Sequence, residues 1–144
     1  MSEGAKIFSL KNTILLVAGV DIGSIGGFAE SDFLEIDPAS DRFTVTEGCD
    51  GTAAFADTQS NVYNVKIKLL QTSKANLALS GIYETQASTK LVFPIVYKDL
   101  AGVDLFIAAG CVITKPPKIT RGNKITMQEW SLVCADGKPF YGGN

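Results

Sequence analysis

The stretch of sequence that decides the fold is residues 62–83, VYNVKIKLLQTSKANLALSGIY. Its first part alternates as a half-buried strand does, with Tyr63, Val65, Ile67 and Leu69 on one side and Asn64, Lys66 and Lys68 on the other. Its second part has apolar residues at positions 75, 78, 79 and 82, the spacing of an amphipathic helix, and Thr72 or Ser73 is a suitable N-cap. A strand followed by a helix over about residues 73–85 is therefore predicted.

Outward from this stretch, the N-terminal half has mostly strand character. Residues 13–21 are β-branched and nearly continuously apolar, which predicts one strand covered on both faces. Residues 33–37 and 42–47 alternate weakly. Asp50-Gly51 then predicts a hairpin turn into a return strand at 52–57, because both residues tolerate positive φ.

The C-terminal part predicts three further strands. Residues 91–98 contain Pro94, which cannot donate a ladder hydrogen bond, so an edge or interrupted strand is expected. Residues 103–114 form a long apolar strand, and two prolines follow it. In residues 124–135 the apolar positions change phase at Gln128-Glu129, which predicts a β-bulge.

These segments together predict a mainly β protein. The expected fold is an antiparallel β-sandwich or barrel of about seven or eight strands with one flanking α-helix, in a single domain of residues 1–144. A chain of 144 residues with 46% hydrophobic residues is long and apolar enough to bury a core without metal or disulfides.

Composition removes several classes of function. The chain has no histidine, which takes away the commonest general base and transition-metal ligand, and its net charge of −2 argues against binding nucleic acid by neutralising phosphates. The carboxylates show no pair placed for acid–base work. We therefore expect no enzyme, no catalytic, cofactor-binding or metal-binding residues, and no cofactor.

The three cysteines match neither a disulfide framework nor a zinc spacing. Cys111 and Cys134 lie in apolar surroundings and are expected to be free and buried, whereas Cys49 is expected to be exposed. No signal peptide or membrane-spanning run is present in the sequence, so folding in a reducing cytoplasm is expected.

Two other patterns are interpreted as structural. The glycines of residues 23–27 lack the spacing of a nucleotide-binding loop and predict a turn, and the acidic stretch of residues 30–41 lacks the pattern of a calcium loop. Lys66 and Lys68 are typical of a solvated strand face rather than an anion clamp.

Charge is divided unevenly along the chain. Residues 1–60 carry three basic and ten acidic side chains, net −7, whereas residues 61–144 carry ten basic and five acidic ones, net +5. In one domain the two halves can intermix, so that the division has no spatial meaning. Alternatively, two ends or faces of the subunit differ in sign, which favours head-to-tail contact between copies.

The central stretch resembles the tail tube proteins of contractile-tailed bacteriophages. The carrying residues are Asp50-Gly51, the strand of residues 63–70, the Thr72-Ser73-x-x-Asn76 junction and the helix that ends in Ile82-Tyr83. The remaining chain matches in order and length: an apolar first strand, Ile36-Asp37-Pro38, and a last strand with Trp130 before a glycine-rich tail.

The resemblance implies a structural virion protein like the tubes of phage tails, pyocin-like particles and type VI secretion systems. Such subunits form hexameric rings that stack into the tail tube. The tube conducts DNA, holds the tape measure protein, and contacts sheath, baseplate and terminator proteins. Its place would be the virion tail, with assembly in the host bacterial cytoplasm and no membrane anchor. DNA would pass through without specific binding, as a neutral or acidic lumen favours.

One strand face is expected to line that lumen, from residues 62–70 or 52–57. Lys66 and Lys68 argue against the first choice unless carboxylates pair with them. Three alternatives stay open: the tube of a phage-derived contractile particle or secretion system, a small-ligand-binding β-barrel, and a hydrolase with a buried carboxylate pair.

Overall fold

Ten strands and one complete helix make up the described parts of the chain, which are residues 13–22, 33–100 and 103–142 of a computed structural model. In chain order they are β1 (Thr13–Val17), β2 (Val20–Asp21), β3 (Leu34–Pro38), β4 (Phe43–Glu47), β5 (Ala53–Asp57), β6 (Tyr63–Leu70), α1 (Ala75–Thr89), β7 (Phe93–Asp99), β8 (Leu105–Lys115), β9 (Met127–Cys134) and β10 (Gly137–Phe140). Two predicted features, the turn at residues 23–27 and the start of the acidic stretch at residues 30–32, lie outside the described residues.

Eight of these strands form one sheet in the order β2-β1-β7-β8-β9-β6-β3, with β10 alongside β8. Every pairing in the described residues is antiparallel. The sheet does not close into a barrel, and β4 and β5 form a separate two-stranded sheet. The predicted class, mainly antiparallel β with one flanking helix, is confirmed.

The core lies on one face of the large sheet. Directly opposite residues such as Ile67 and Trp130 share that face, because β6 pairs with β9 in unbroken register. Helix α1 contributes Ala75 and Leu79 to the same apolar cluster, and both are fully buried. Burial of alternate residues in β6 follows the predicted pattern, since Val65, Ile67 and Leu69 are buried and Asn64 and Lys66 are exposed.

The predicted strand of residues 13–21 is wrong in its middle. Ala18 and Gly19 have φ values of 53° and 83°, and they form a two-residue turn that folds β2 back onto β1. The N–H group of Ala18 donates to the carbonyl of Pro94 at 2.9 Å, which holds this turn against β7. Alanine rarely adopts a positive φ, and Ala18 lies within an apolar run that is typical of a strand. The residue types at this position therefore did not indicate a turn.

Of the two predictions for the strand that contains Pro94, the edge position is wrong and the interruption is confirmed. β7 lies inside the sheet, between β1 and β8. Its register with β8 shifts between Phe93 and Ile95, so Pro94 lies at a bulge, where its missing N–H group is tolerated.

The predicted bulge at Gln128-Glu129 is absent, because β9 pairs with β6 without a register shift and its buried residues alternate regularly from Gln128. The change of phase has a different cause: Gln128 is buried, while Met127 is 42% exposed. On the other side of β9, the register shifts in its pairing with β8, between Ile113 and Lys115.

Helix α1 begins two residues later and ends four residues later than predicted. Lys74 precedes it in helical conformation without a side-chain cap, while the Ser73 hydroxyl accepts a hydrogen bond from the Ala75 N–H group at 3.2 Å. Ser73 therefore provides the capping bond that the sequence predicted. The helix ends where Lys90 adopts a left-handed conformation and donates its N–H group to Gln86.

Candidate assembly surface

Asn76 explains the Thr-Ser-x-x-Asn junction between β6 and α1. Its Nδ2 donates to the carbonyls of Leu70 at 2.9 Å and Ser73 at 3.2 Å, and its Oδ1 accepts from the Trp130 indole N–H group at 3.0 Å. One side chain thus joins the end of β6, the start of α1 and the central strand β9. This junction fixes the helix against one face of the sheet and, among the described residues, leaves the other face free.

That free face is polar over β3, β6 and β9, and we call it the polar face: Glu35, Asp37, Asn64, Lys66, Lys68, Glu129 and Ser131. Its two lysines are both paired with carboxylates. The Nζ of Lys68 lies 3.1 Å from Glu35, and that of Lys66 lies 3.7 Å from Glu129. The condition under which this face can line a lumen, pairing of both lysines, is therefore met.

A second surface feature is the β4–β5 hairpin, which with its flanks (residues 41–58) we call the acidic hairpin. The segment carries Arg42 against four carboxylates, net −3: Asp41, Glu47, Asp50 and Asp57. Arg42 binds Asp57 across the base at 3.1 Å, and the Asp50 carboxylate accepts from the Thr52 N–H group at 3.1 Å. Asp50-Gly51 forms the predicted turn, with Gly51 at a φ of 85°.

These bonds lower the pKa of two carboxyl groups. The hydrogen bond from Arg42, followed by that from the Gln59 N–H group, lowers the pKa of Asp57 below its usual value of 3.8. The hydrogen bond from the Thr52 N–H group lowers the pKa of Asp50 in the same way. Both groups are therefore negatively charged over the whole physiological pH range.

One face of the acidic hairpin is apolar and exposed. Val45 lies directly opposite Phe55, and Phe43 lies two residues before Val45 on the same face. Phe43, Val45 and Phe55 are 61%, 58% and 78% exposed. A two-stranded hairpin is at best marginally stable in water without a covering surface.

A third feature is the basic loop between β8 and β9, defined as residues 115–126. It carries Lys115, Lys118, Arg121 and Lys124 without any carboxylate, net +4, and two exposed apolar side chains, Ile119 and Ile125. Its C-terminal end is held by Thr126, whose hydroxyl bonds to the Gln71 Oε1 and the Thr120 carbonyl, each at 2.8 Å.

The acidic hairpin and the basic loop lie at opposite ends of β6. Pro38, which leads to the hairpin, pairs with Tyr63 at the first residue of β6. Met127, which follows the basic loop, pairs with Leu70 at the last residue of β6. Eight residues of strand, about 25 Å, separate the two ends. These two segments of opposite charge are therefore separated in space.

Nothing in the described residues resembles a centre for acid–base or metal chemistry. Asp99 is their only fully buried carboxylate, and they hold no group of three or more potential metal ligands. Burial, followed by the nearby charges of Asp99 and Asp104, raises the pKa of Tyr97. The sheet is open, and its covered face is filled by core side chains. Among the described residues, no helix is both long and apolar enough to cross a bilayer.

No family model matches the sequence, and no curated protein matches it. Solved structures do. One similar chain belongs to the cryo-EM structure of the sheath/tube terminator of PVC, an extracellular contractile injection system, in the extended state. It is 14% identical with a TM-score of 0.60, over 94% of this chain and 98% of that one.

Two other structures are similar to nearly the same degree. One is the tube-terminating cap of the anti-feeding prophage, with 12% identity, a TM-score of 0.57, and coverage of 97% of this chain and 94% of that one. The other is the PVC sheath–tube complex in the extended state, with 14% identity, a TM-score of 0.57, and coverage of 93% and 91%. This chain is thus a mainly antiparallel β protein with a flanking helix, and it shares its fold with chains from contractile injection systems.

Proposed function

We propose that this chain is a structural subunit of a contractile, tail-like particle and that it works by self-association rather than by catalysis. The supporting observation is the match in fold over nearly the whole length of both chains. The subunit would act as a single domain in the tube or in the ring that closes the end of the tube. The resemblance of residues 50–83 to phage tube proteins points to the same class of particle.

The proposed contact between rings joins the acidic hairpin of one copy to the basic loop of the next. Their net charges, −3 and +4, are complementary, and each has apolar side chains that the contact would cover. Because the two surfaces lie at opposite ends of β6, the contact is heterologous and repeats along the strand direction. A stack of rings is the expected product.

The proposed contact within a ring uses the two edges of the large sheet. Within the described residues, β2 pairs only with β1, and β3 pairs only with β6. An open sheet can join the sheet of a neighbour through such edges, and a closed ring of copies leaves none exposed. Six copies per ring is the number that the resemblance to tail tubes implies.

The polar face is the proposed lining of the lumen. Its lysines are paired with Glu35 and Glu129, and the face carries one more carboxylate than lysines. Such a wall offers little attraction to phosphates, so that DNA or another cargo could pass. The similar solved chains come from injection systems, which favours a phage-derived contractile particle over a complete phage. Contacts with sheath, baseplate and tape measure proteins, and assembly in a bacterial cytoplasm, are part of this proposal.

The first test is the assembly state of the purified chain, by light scattering and negative-stain electron microscopy at low and high salt. Rings are expected at low salt. Long tubes would identify a tube subunit, whereas rings that never stack beyond two layers would identify a terminator. Monomers under every salt and protein concentration would contradict the proposal and favour a small binding protein.

The second test reverses the charges of the proposed contact between rings. Asp41→Lys with Glu47→Lys changes the acidic hairpin from −3 to +1, and Lys118→Glu, Arg121→Glu and Lys124→Glu change the basic loop from +4 to −2. Each set alone should abolish stacking and leave the rings intact, and the two sets together should restore it. Lys98→Glu, on an exposed position of β7, is the control and should stack normally. Stacking by either single set would contradict this contact.

A further inference from the structure

Cys111 and Cys134 lie directly opposite each other on the neighbouring strands β8 and β9. The neighbouring residue pair along the two strands, Gly110 and Ala135, is hydrogen-bonded, since the Ala135 N–H group donates to the Gly110 carbonyl at 2.8 Å. Because hydrogen-bonded and non-hydrogen-bonded pairs alternate in an antiparallel ladder, Cys111 and Cys134 form a non-hydrogen-bonded pair. Both thiols are fully buried on the core face, with their Sγ atoms 2.7 Å apart.

We propose that Cys111 and Cys134 form a disulfide between β8 and β9 when the protein meets an oxidising small-molecule disulfide such as glutathione disulfide. Non-hydrogen-bonded pairs have Cα atoms about 4.5 Å apart, within the roughly 4.4–6.8 Å that a disulfide requires. The finished bond would therefore fit the positions that the two strands have in this structure. The inference does not depend on the proposed function.

The reaction passes through a mixed disulfide with glutathione. Because both thiols are buried, it takes place during a transient opening of the strands or during refolding, before the core closes over the pair. The thiolate of one cysteine attacks one sulfur of glutathione disulfide and releases one glutathione thiolate. The other cysteine then loses its proton to solvent and attacks the sulfur of the first, which releases the second glutathione. The protein loses two hydrogens, and one glutathione disulfide becomes two glutathiones.

Cys49 cannot take part in this bond within one chain. It is exposed at the tip of the β4–β5 hairpin, which belongs to a different sheet. The Cys111–Cys134 bond would close a loop that contains the whole basic loop of residues 115–126. It would cross-link β8 and β9 at the end of β9 that lies away from the basic loop, while a reducing cytoplasm would keep the two thiols reduced, as the free pair in this structure.

The test uses the full chain with Cys49→Ser, so that only the two buried thiols remain. The folded protein, and in parallel protein refolded from denaturant, is held in a glutathione disulfide buffer and analysed by intact mass and thiol titration. The mass should fall by that of two hydrogens, and both thiols should be lost. The circular dichroism spectrum should stay native. The urea midpoint should be higher than that of the reduced protein and should return to the value of the reduced protein when dithiothreitol is added.

Two control variants, Cys49→Ser with Cys111→Ala and Cys49→Ser with Cys134→Ala, should show no such loss of two hydrogens. The proposal is overturned if both thiols persist in both arms or if each carries glutathione. It is equally overturned if the oxidised protein has a lower urea midpoint than the reduced protein.

Discussion

The side-chain amide of Gln86 pairs with both backbone groups of Ile113. Its Nε2 donates to the Ile113 carbonyl at 3.0 Å, and its Oε1 accepts from the Ile113 N–H group at 2.7 Å. Ile113 lies opposite Leu132, two residues beyond Cys111, which pairs with the first residue of β7, Phe93, so no strand of the described sheet reaches these groups. The helix thus continues the hydrogen-bond ladder of β8 with a side chain, which ties α1 to the sheet.

Replacing Gln86 with alanine should lower the free energy of unfolding by about 1–3 kcal/mol, because the buried backbone groups of Ile113 lose their partner. Urea denaturation measures this change. Ser88→Ala is the matched control, since Ser88 is exposed and bonds only within the helix, to Glu84, in the described contacts. It should change stability by less than about 0.5 kcal/mol. Equal losses for both variants would show that the Gln86 contact contributes nothing.

Replacing Asn76 with alanine should lower the free energy of unfolding by about 2–3 kcal/mol, since the carbonyls of Leu70 and Ser73 and the indole of Trp130 each lose a hydrogen bond. Trp130 is the only tryptophan in the chain, so its fluorescence reports the junction directly. A shifted emission maximum is expected in the folded variant. Leu77→Ala, at a position 78% exposed on the same helix, should leave the emission unchanged.

Replacing Gly137 with alanine should destabilise the protein by about 1–3 kcal/mol, as overpacking of a core does. A Cβ atom there would clash with Tyr63 Cδ2 and would lie 3.0 Å from Phe106 Cε2. These two rings already pack edge to face, with centroids 5.3 Å apart, and leave little room to move. Gly122→Ala is the control, because a Cβ atom at Gly122 meets nothing within 4 Å. A thermal unfolding temperature of Gly122→Ala below that of Gly137→Ala would contradict this prediction.

Neutralising both partners of the polar-face lysines, with Glu35→Gln and Glu129→Gln, should increase salt-sensitive DNA binding by the assembled protein. The polar face would then carry more lysines than carboxylates and attract phosphate, and the slope of log affinity against log salt should steepen by about 1 for each lysine that contacts one. Filter binding of short DNA between low and moderate salt measures this. Glu84→Gln with Asp136→Asn removes the same charge elsewhere and should leave the slope unchanged.

Acidification should loosen the acidic hairpin before the core. The hydrogen bonds from Arg42 and the Gln59 N–H group hold the pKa of Asp57 below 3.8, so the folded pKa lies below the unfolded one. Their stabilisation is therefore present above the unfolded pKa and is lost as pH falls through the folded pKa. An NMR titration should place the Asp57 midpoint below 3.8, with loss of the Phe43 and Phe55 signals in the same range. Asp57→Asn should remove this transition, and a midpoint above 3.8 would contradict the prediction.

Several elements could be predicted because their signals are local. The alternation of β6, the helical stripe that begins at Ala75 and the Asp50-Gly51 turn each depend on residues close together in the sequence, where side-chain periodicity and backbone preferences act directly. The helix end was missed because residues 84–89 have little apolar periodicity. That last part is held to the sheet by the distant contact between Gln86 and Ile113.

The sequence by itself determined that this protein is built from antiparallel strands with one flanking helix, and that it carries opposite charge in two segments. Only the tertiary structure decided that β7 is an inner strand despite Pro94, that Cys111 faces Cys134, and that the charged segments lie at opposite ends of β6. The physical reason is that these features depend on which distant strands pair and in what register. Register is set by the fit of the whole covered face, a property that no short window of sequence contains.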